Sequence, residues 1–166
     1  MADVAPKKVK LKTSDNVIKE VDSDILMKSK LLEGLMKDFE EEEIFTLPDV
    51  DSKNLDLVIK YLEHYKDMEP KEIPKPFPDV VDDNFFRGIL NDDWTFDYLK
   101  NMSLDDAVDL VNAANYLQMD GLINILSAKL AYEMCNCDVE EARQKFGIQT
   151  DLTDEEIAEL DKYPLD

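Results

Sequence analysis

The sequence predicts an α/β chain with a small sheet near its start and helices from there to its end. Three patterns carry that prediction. Val9, Leu11 and Thr13 alternate with lysines ahead of Ser14-Asp15-Asn16, and an apolar, β-branched run resumes from Val17 to Val21, which reads as a hairpin. Leu55, Val58, Ile59, Leu62 and Tyr65 recur at the spacing of one helix face. After residue 83 the sequence turns helical throughout. With 166 residues, 44% of them apolar, the chain can bury the core of one domain, alone or with an appended helical subdomain.

Between those landmarks each element has a local cause. Asp22 to Asp24 offer N-caps for a short helix around Ile25 to Lys30. Leu31, Leu32, Leu35, Met36 and Phe39 follow helical spacing, a pattern Gly34 interrupts, and Glu40 to Glu43 read as a solvated loop. Ile44 to Leu47 form a third strand stopped by Pro48, and Asp51 or Ser52 caps the helix that holds Leu55 to Tyr65. Residues 67–83 carry Pro70, Pro74, Pro76 and Pro78 and can run neither as helix nor as central strand, so they form a long loop.

Phe85 to Leu90 and Trp94 to Leu99 are short helices, and Ser103 with Asp106 opens a longer one that turns Ala107, Val108, Val111, Ala114 and Leu117 inward. After Asp120-Gly121, a helix with Leu122, Ile123, Ile125, Leu126, Leu130 and Met134 has too many apolar residues for one contact face and is expected to be buried on two sides. Asp138 with Glu141 and Thr153 with Glu156 cap two further helices, the first ending near Gly147. Their apolar stripes, Val139, Ala142, Phe146, Ile148, Leu152, Ile157 and Leu160, are narrow, and short helices of this kind are marginal unless they pack on something.

Composition removes whole classes of function. Thirty-nine acidic residues against 19 basic ones give a net charge of −20, which repels nucleic acid and anionic membranes and steers basic protein partners inward. No apolar h-region and no spanning stretch is present, and Cys135 and Cys137 read as reduced thiols, so an intracellular chain is expected. The sequon Asn101-Met102-Ser103 has no meaning there. The four glycines are scattered, which rules out a phosphate-cradling loop, and no Asp-rich, Gly-centred calcium loop occurs. His64 is a single histidine on a helix face, and acidic pairs such as Asp92-Asp93 and Asp105-Asp106 fit helix caps better than acid–base catalysis. Trp94 and Phe85-Phe86 suit local core packing or an interface. No enzyme and no cofactor is expected.

Specific motifs then point to a family. Lys10 to Asp22 resembles the opening hairpin of the S-phase kinase-associated adaptor family. Leu47-Pro-Asp-Val50 before a helix, Asn112-Ala-Ala-Asn-Tyr-Leu117 with Gly121-Leu122, Glu140-Glu-Ala-Arg-Gln-Lys-Phe-Gly-Ile148 and Asp151-Leu-Thr-Asp-Glu-Glu156 continue its pattern in order, over about residues 8–160 and most weakly over 66–103. Elongin-type adaptors share the first part and stop after it, so the residues beyond Gly121 favour the S-phase kinase-associated branch.

The resemblance implies a BTB/POZ-like domain over residues 1–120, which binds a cullin, and a C-terminal helical extension over 121–166, which binds F-box proteins. It implies an adaptor of SCF-type ubiquitin ligases in the cytoplasm and nucleus that reaches the RING subunit only indirectly, through the cullin. Asn115 and Tyr116 match the family's cullin contact. Ala107 and Val108 fall where the family often has bulkier apolar residues, so Val108 marks a smaller or shifted contact. F-box recognition would employ Leu122, Ile123, Leu126, Leu130, Phe146, Ile148, Leu152, Ile157 and Leu160, each of which also suits the chain's own core. The family's tryptophan-containing tail has no counterpart in Asp161-Lys-Tyr-Pro-Leu-Asp166, which leaves Tyr163 or Leu165 in its place or implies a different partner set. The rival reading is a self-associating BTB/POZ-type regulator that forms homodimers when free of F-box partners.

Overall fold

The computed structural model describes residues 7–37, 44–77, 81–90, 92–135, 137–149, 153–160 and 162, the side chains of Asp154 and Leu160 excepted. β1 (Lys8–Thr13) and β2 (Ile18–Asp22) make the expected hairpin, antiparallel, with Lys8 opposite Asp22 and Lys12 opposite Ile18. The turn closes through Thr13 N–H donating to the Val17 carbonyl at 2.9 Å, with Asn16 at φ 65°, a left-handed conformation that asparagine tolerates. β3 (Ile44–Leu47) pairs in parallel with the other edge of β1, giving the order β2-β1-β3. Strand side chains alternate between faces, so Val9, Leu11, Thr13, Val21 and Leu47 are buried in the core.

Helices cover that inner face. α1 (Ser23–Leu26) is shorter than the predicted helix, and α2 (Lys30–Met36) runs straight through Gly34. One helical glycine costs only about 1 kcal/mol against alanine, and the Ser29 cap with burial of Leu32 offsets it. Phe39 and Glu40 to Glu43 lie outside the described residues. α3 (Ser52–His64) starts on Asp51, whose carboxylate accepts from Asn54 N–H at 2.7 Å, and buries Leu55, Val58 and Leu62 completely. Lys19 of β2 ties the sheet to this helix by donating to the Ser52 carbonyl at 2.9 Å and pairing with Asp56.

The proline-bearing segment is loop through residue 77 and is fastened by buried Ile73. α4 (Asp83–Ile89) and α5 (Asp93–Lys100) begin at caps from Asp82 and Asp92. α6 (Leu104–Tyr116) packs on α3 and on α7 (Asp120–Cys135). Gly121 is required at the start of α7, because a Cβ there would stand 2.6 Å from the Tyr61 hydroxyl and 2.7 Å from Pro70 Cγ.

One expectation changes. Val108 is not an inward residue of α6: it is 40% exposed, because the helical phase that buries Ala107, Ala114 and Leu117 also turns Leu110 and Ala113 inward and rotates Val108 out. By compactness the chain forms two units, Met1–Asn136 and Cys137–Asp166. α7 falls in the first unit, where Leu122, Ile125 and Leu126 are buried together with Lys129, whose ammonium is paired with Glu133 one turn on. The second unit holds α8 (Val139–Lys145) and α9 (Asp154–Leu160). No helix among the described residues is long and apolar enough to cross a membrane.

Candidate functional site

The C-terminal end of α6 presents Asn115, exposed, and Tyr116, half-buried with its body against the core. The backbone there is fixed by a tight helix stop. Gln118 N–H donates to the Asn115 carbonyl at 3.0 Å and Met119 N–H to the Ala114 carbonyl at 2.9 Å, while Gln118 takes φ 54° where glycine is commoner. The Leu117 carbonyl in turn accepts from the buried Ser29 hydroxyl at 2.6 Å. The same Ser29 oxygen caps α2 by accepting from Leu32 N–H at 3.2 Å, so one hydroxyl joins the start of α2 to the end of α6.

The start of α6 is anchored as well. Ser103 Oγ accepts from Asp106 N–H at 3.1 Å, and Asp106 pairs with Lys53 of α3. Lys53 holds the Asp106 carboxyl below the usual range, and Asp106 raises the Lys53 ammonium in return. Held at both ends, α6 exposes Asp105, Val108, Asp109, Asn112 and Asn115 on the side away from the core. Beside Lys53, a groove of about 350 Å³ is lined by Leu57, Trp94, Tyr98 and Met102. Trp94 stacks between His64 (ring centroids 3.9 Å apart) and Tyr98 (4.9 Å), and His64 Nε2 lies 3.0 Å from Asp92. These contacts give His64 a packing role. Among the described residues no group of three or more His, Cys, Asp and Glu is placed to hold a metal ion.

The candidate F-box residues divide into three groups. Leu122 and Leu126 are fully buried and serve the chain's own core, whereas Ile123 and Leu130 are half-buried at its edge. In the second unit α8 has no buried residue; Phe146 is half-buried, and Val139 and Ile148 are 71% and 57% exposed. Both predicted capping boxes form: Glu141 N–H donates to Asp138 at 2.8 Å, and Thr153 N–H donates to Glu156 at 2.8 Å with the reciprocal Glu156 N–H to Thr153 Oγ at 3.3 Å. Gly147, at φ 63°, ends α8 as its spacing predicts. Ile157 is exposed, Leu152 lies outside the described residues, and Leu160 lies in α9 without a described side chain. The caps fix where these short helices begin, while Val139, Ile148 and Ile157 stay exposed, so packing adds little to their stability.

Sequence comparison assigns the chain. The model of the Skp1 family tetramerisation domain matches residues 7–67, and that of the Skp1 family dimerisation domain matches residues 120–163. An S-phase kinase-associated protein 1 homolog of Tetrahymena thermophila is 31% identical over 95% of this chain and 92% of its own length. The chain belongs to the Skp1 family. SKP1-like protein 5 of Arabidopsis thaliana is 29% identical over 92% of each chain, and the E3 ubiquitin ligase complex SCF subunit sconC of Talaromyces marneffei is 31% identical over 89% of each.

The small mixed sheet covered by helices is thus the BTB/POZ-like α/β fold of the Skp1 family. The F-box candidates fall inside the span matched by the Skp1 dimerisation domain, and Val108, Asn115 and Tyr116 fall between the two matched spans. Ser29 is the site residue that sequence reasoning missed. Its position ahead of Leu31-Leu32 signals an N-cap, but its bond to Leu117, 88 residues away, has no sequence signature.

Proposed function

We infer that this chain is the adaptor subunit of an SCF-type cullin-RING ubiquitin ligase, bridging a cullin to F-box substrate receptors and performing no chemistry itself. The observation that carries the reading is its likeness, over 89% of both chains, to a fungal relative named as an SCF subunit of an E3 ubiquitin ligase complex. The geometry supports a division of labour. A fixed α6 end offers Asn115 and Tyr116 to the cullin; Ile123 and Leu130 in the first unit, and separately Phe146, Ile148 and Ile157 in the second, are offered to the F-box helices. Burying each large apolar side chain there contributes about 1.5–3 kcal/mol, which is available only when a partner covers it. The mechanism is tethering: one chain that holds receptor and cullin together raises the effective concentration of substrate beside the ubiquitin-transfer machinery.

Hydrogen exchange tests the F-box half of this reading. In the free protein the amides of α8 and α9 should exchange fast, and on adding an F-box domain they should slow by about tenfold or more, each tenfold being about 1.4 kcal/mol of opening free energy. Equal protection with and without the F-box domain would assign those helices to a core of the chain's own.

A further inference from the structure

A pocket of about 310 Å³ opens between α4, α5 and α7, within the first unit. One wall is aromatic. Phe86 of α4 stacks on Tyr132 of α7, ring centroids 4.5 Å apart, and stands 6.0 Å from the ring of Phe96 on α5. The other wall carries Lys100 of α5 and Lys129 of α7, with the carboxylates of Asp83 and Glu133.

Donors and acceptors in this pocket do not balance. Asp83 is engaged at both oxygens, by the Tyr132 hydroxyl and by Lys100, and Glu133 holds Lys129. A lysine ammonium has three N–H donors. Lys129 is 4% exposed and gives one of them to Glu133, so among the described residues its other two have no acceptor. A buried charged donor without an acceptor is costly, and a ligand that supplies the acceptor recovers that cost.

We propose that this pocket binds a small aromatic carboxylate, its ring against Phe86, Phe96 and Tyr132 and its oxygens accepting from Lys129 and Lys100. Bonds between an ammonium and a carboxylate are shorter and about twice as strong as neutral ones, which favours an anion over an amide or a ketone. Arg87, whose guanidinium lies 4.1 Å from the centre of the Phe96 ring, is neutralised by Asp93 and does not compete for the ligand's acceptors. The volume lies at the lower end of the roughly 300–1,000 Å³ of ligand sites, which limits the ligand to one ring or a fused pair. The net charge of −20 weakens the attraction without cancelling it, because at physiological salt charges beyond about 8 Å are largely screened. None of these residues is among those offered to the cullin or to the F-box helices, so the pocket is a ligand site in addition to the two docking surfaces.

Benzoate titrated into the isotope-labelled full chain tests this. It should bind in the millimolar range, shift amides of α4, α5 and α7, and lose affinity severalfold between low and physiological salt. Benzamide, similar in shape but uncharged, should bind about tenfold more weakly or worse. The double variant Lys129→Met, Glu133→Gln removes the buried pair without stranding a charge and should lose about tenfold in affinity. Lys100→Met, at an exposed side chain, should keep the native spectrum and lose about threefold. Lys60→Met on α3 should bind as the unaltered chain does. No saturation at low salt, which would leave the pocket to water alone, would overturn the proposal. So would shifts centred elsewhere, benzamide binding as tightly as benzoate, or unchanged affinity in both lysine variants of the pocket.

Discussion

Replacing Tyr116 by alanine is expected to weaken cullin binding about 30-fold, close to 2 kcal/mol, and to leave F-box binding unchanged. The expectation rests on how the tyrosine is held. Its ring is half-buried against the core, so little conformational freedom remains to be lost on binding, and it sits on a helix turn whose backbone is fixed by the Gln118 and Met119 hydrogen bonds. Val108, two turns earlier, presents only a small exposed side chain, which leaves the tyrosine as the main aromatic anchor on this face of α6. Calorimetric titration of the variant with a cullin N-terminal domain measures the loss. Unchanged affinity would remove the end of α6 from the interface.

Ser29→Ala should lower stability by about 2 kcal/mol and loosen the same end of α6. The substitution deletes two hydrogen bonds at once at a fully buried position, the cap on Leu32 N–H and the bond to the Leu117 carbonyl, and leaves both backbone groups without the hydroxyl. Urea unfolding measures the stability, and cullin affinity should fall along with it because Tyr116 adjoins the released carbonyl. A loss below about 0.5 kcal/mol would mean that other groups satisfy the two backbone atoms.

The contrast between these residues shows how far a single sequence reaches. Motif and neighbours marked Tyr116, and local rules located the hairpin around Asn16, the cap at Asp51, the paired caps at Asp138 and Thr153 and the glycine stop at 147, since each depends on residues a few positions apart. What depends on packing between distant segments was not legible. The helical stripe of α6 misplaces Val108, because Leu110 and Ala113 are the residues buried on a helix that packs on both α3 and α7. Buried Lys129 and the need for glycine at 121 follow from Glu133, Tyr61 and Pro70 in the folded chain. Leu122 and Leu126 could not be assigned between the chain's own core and a shared one until their complete burial in the first unit was seen.

Bridging is the central claim, and light-scattering mass measurement on a mixture of the chain, an F-box protein and a cullin N-terminal domain tests it most directly. The account predicts one species with the mass of a one-to-one-to-one complex, formed only when this chain is present. Displacement of one partner by the other, or a mass corresponding to homodimers of the chain that bind neither, would contradict it.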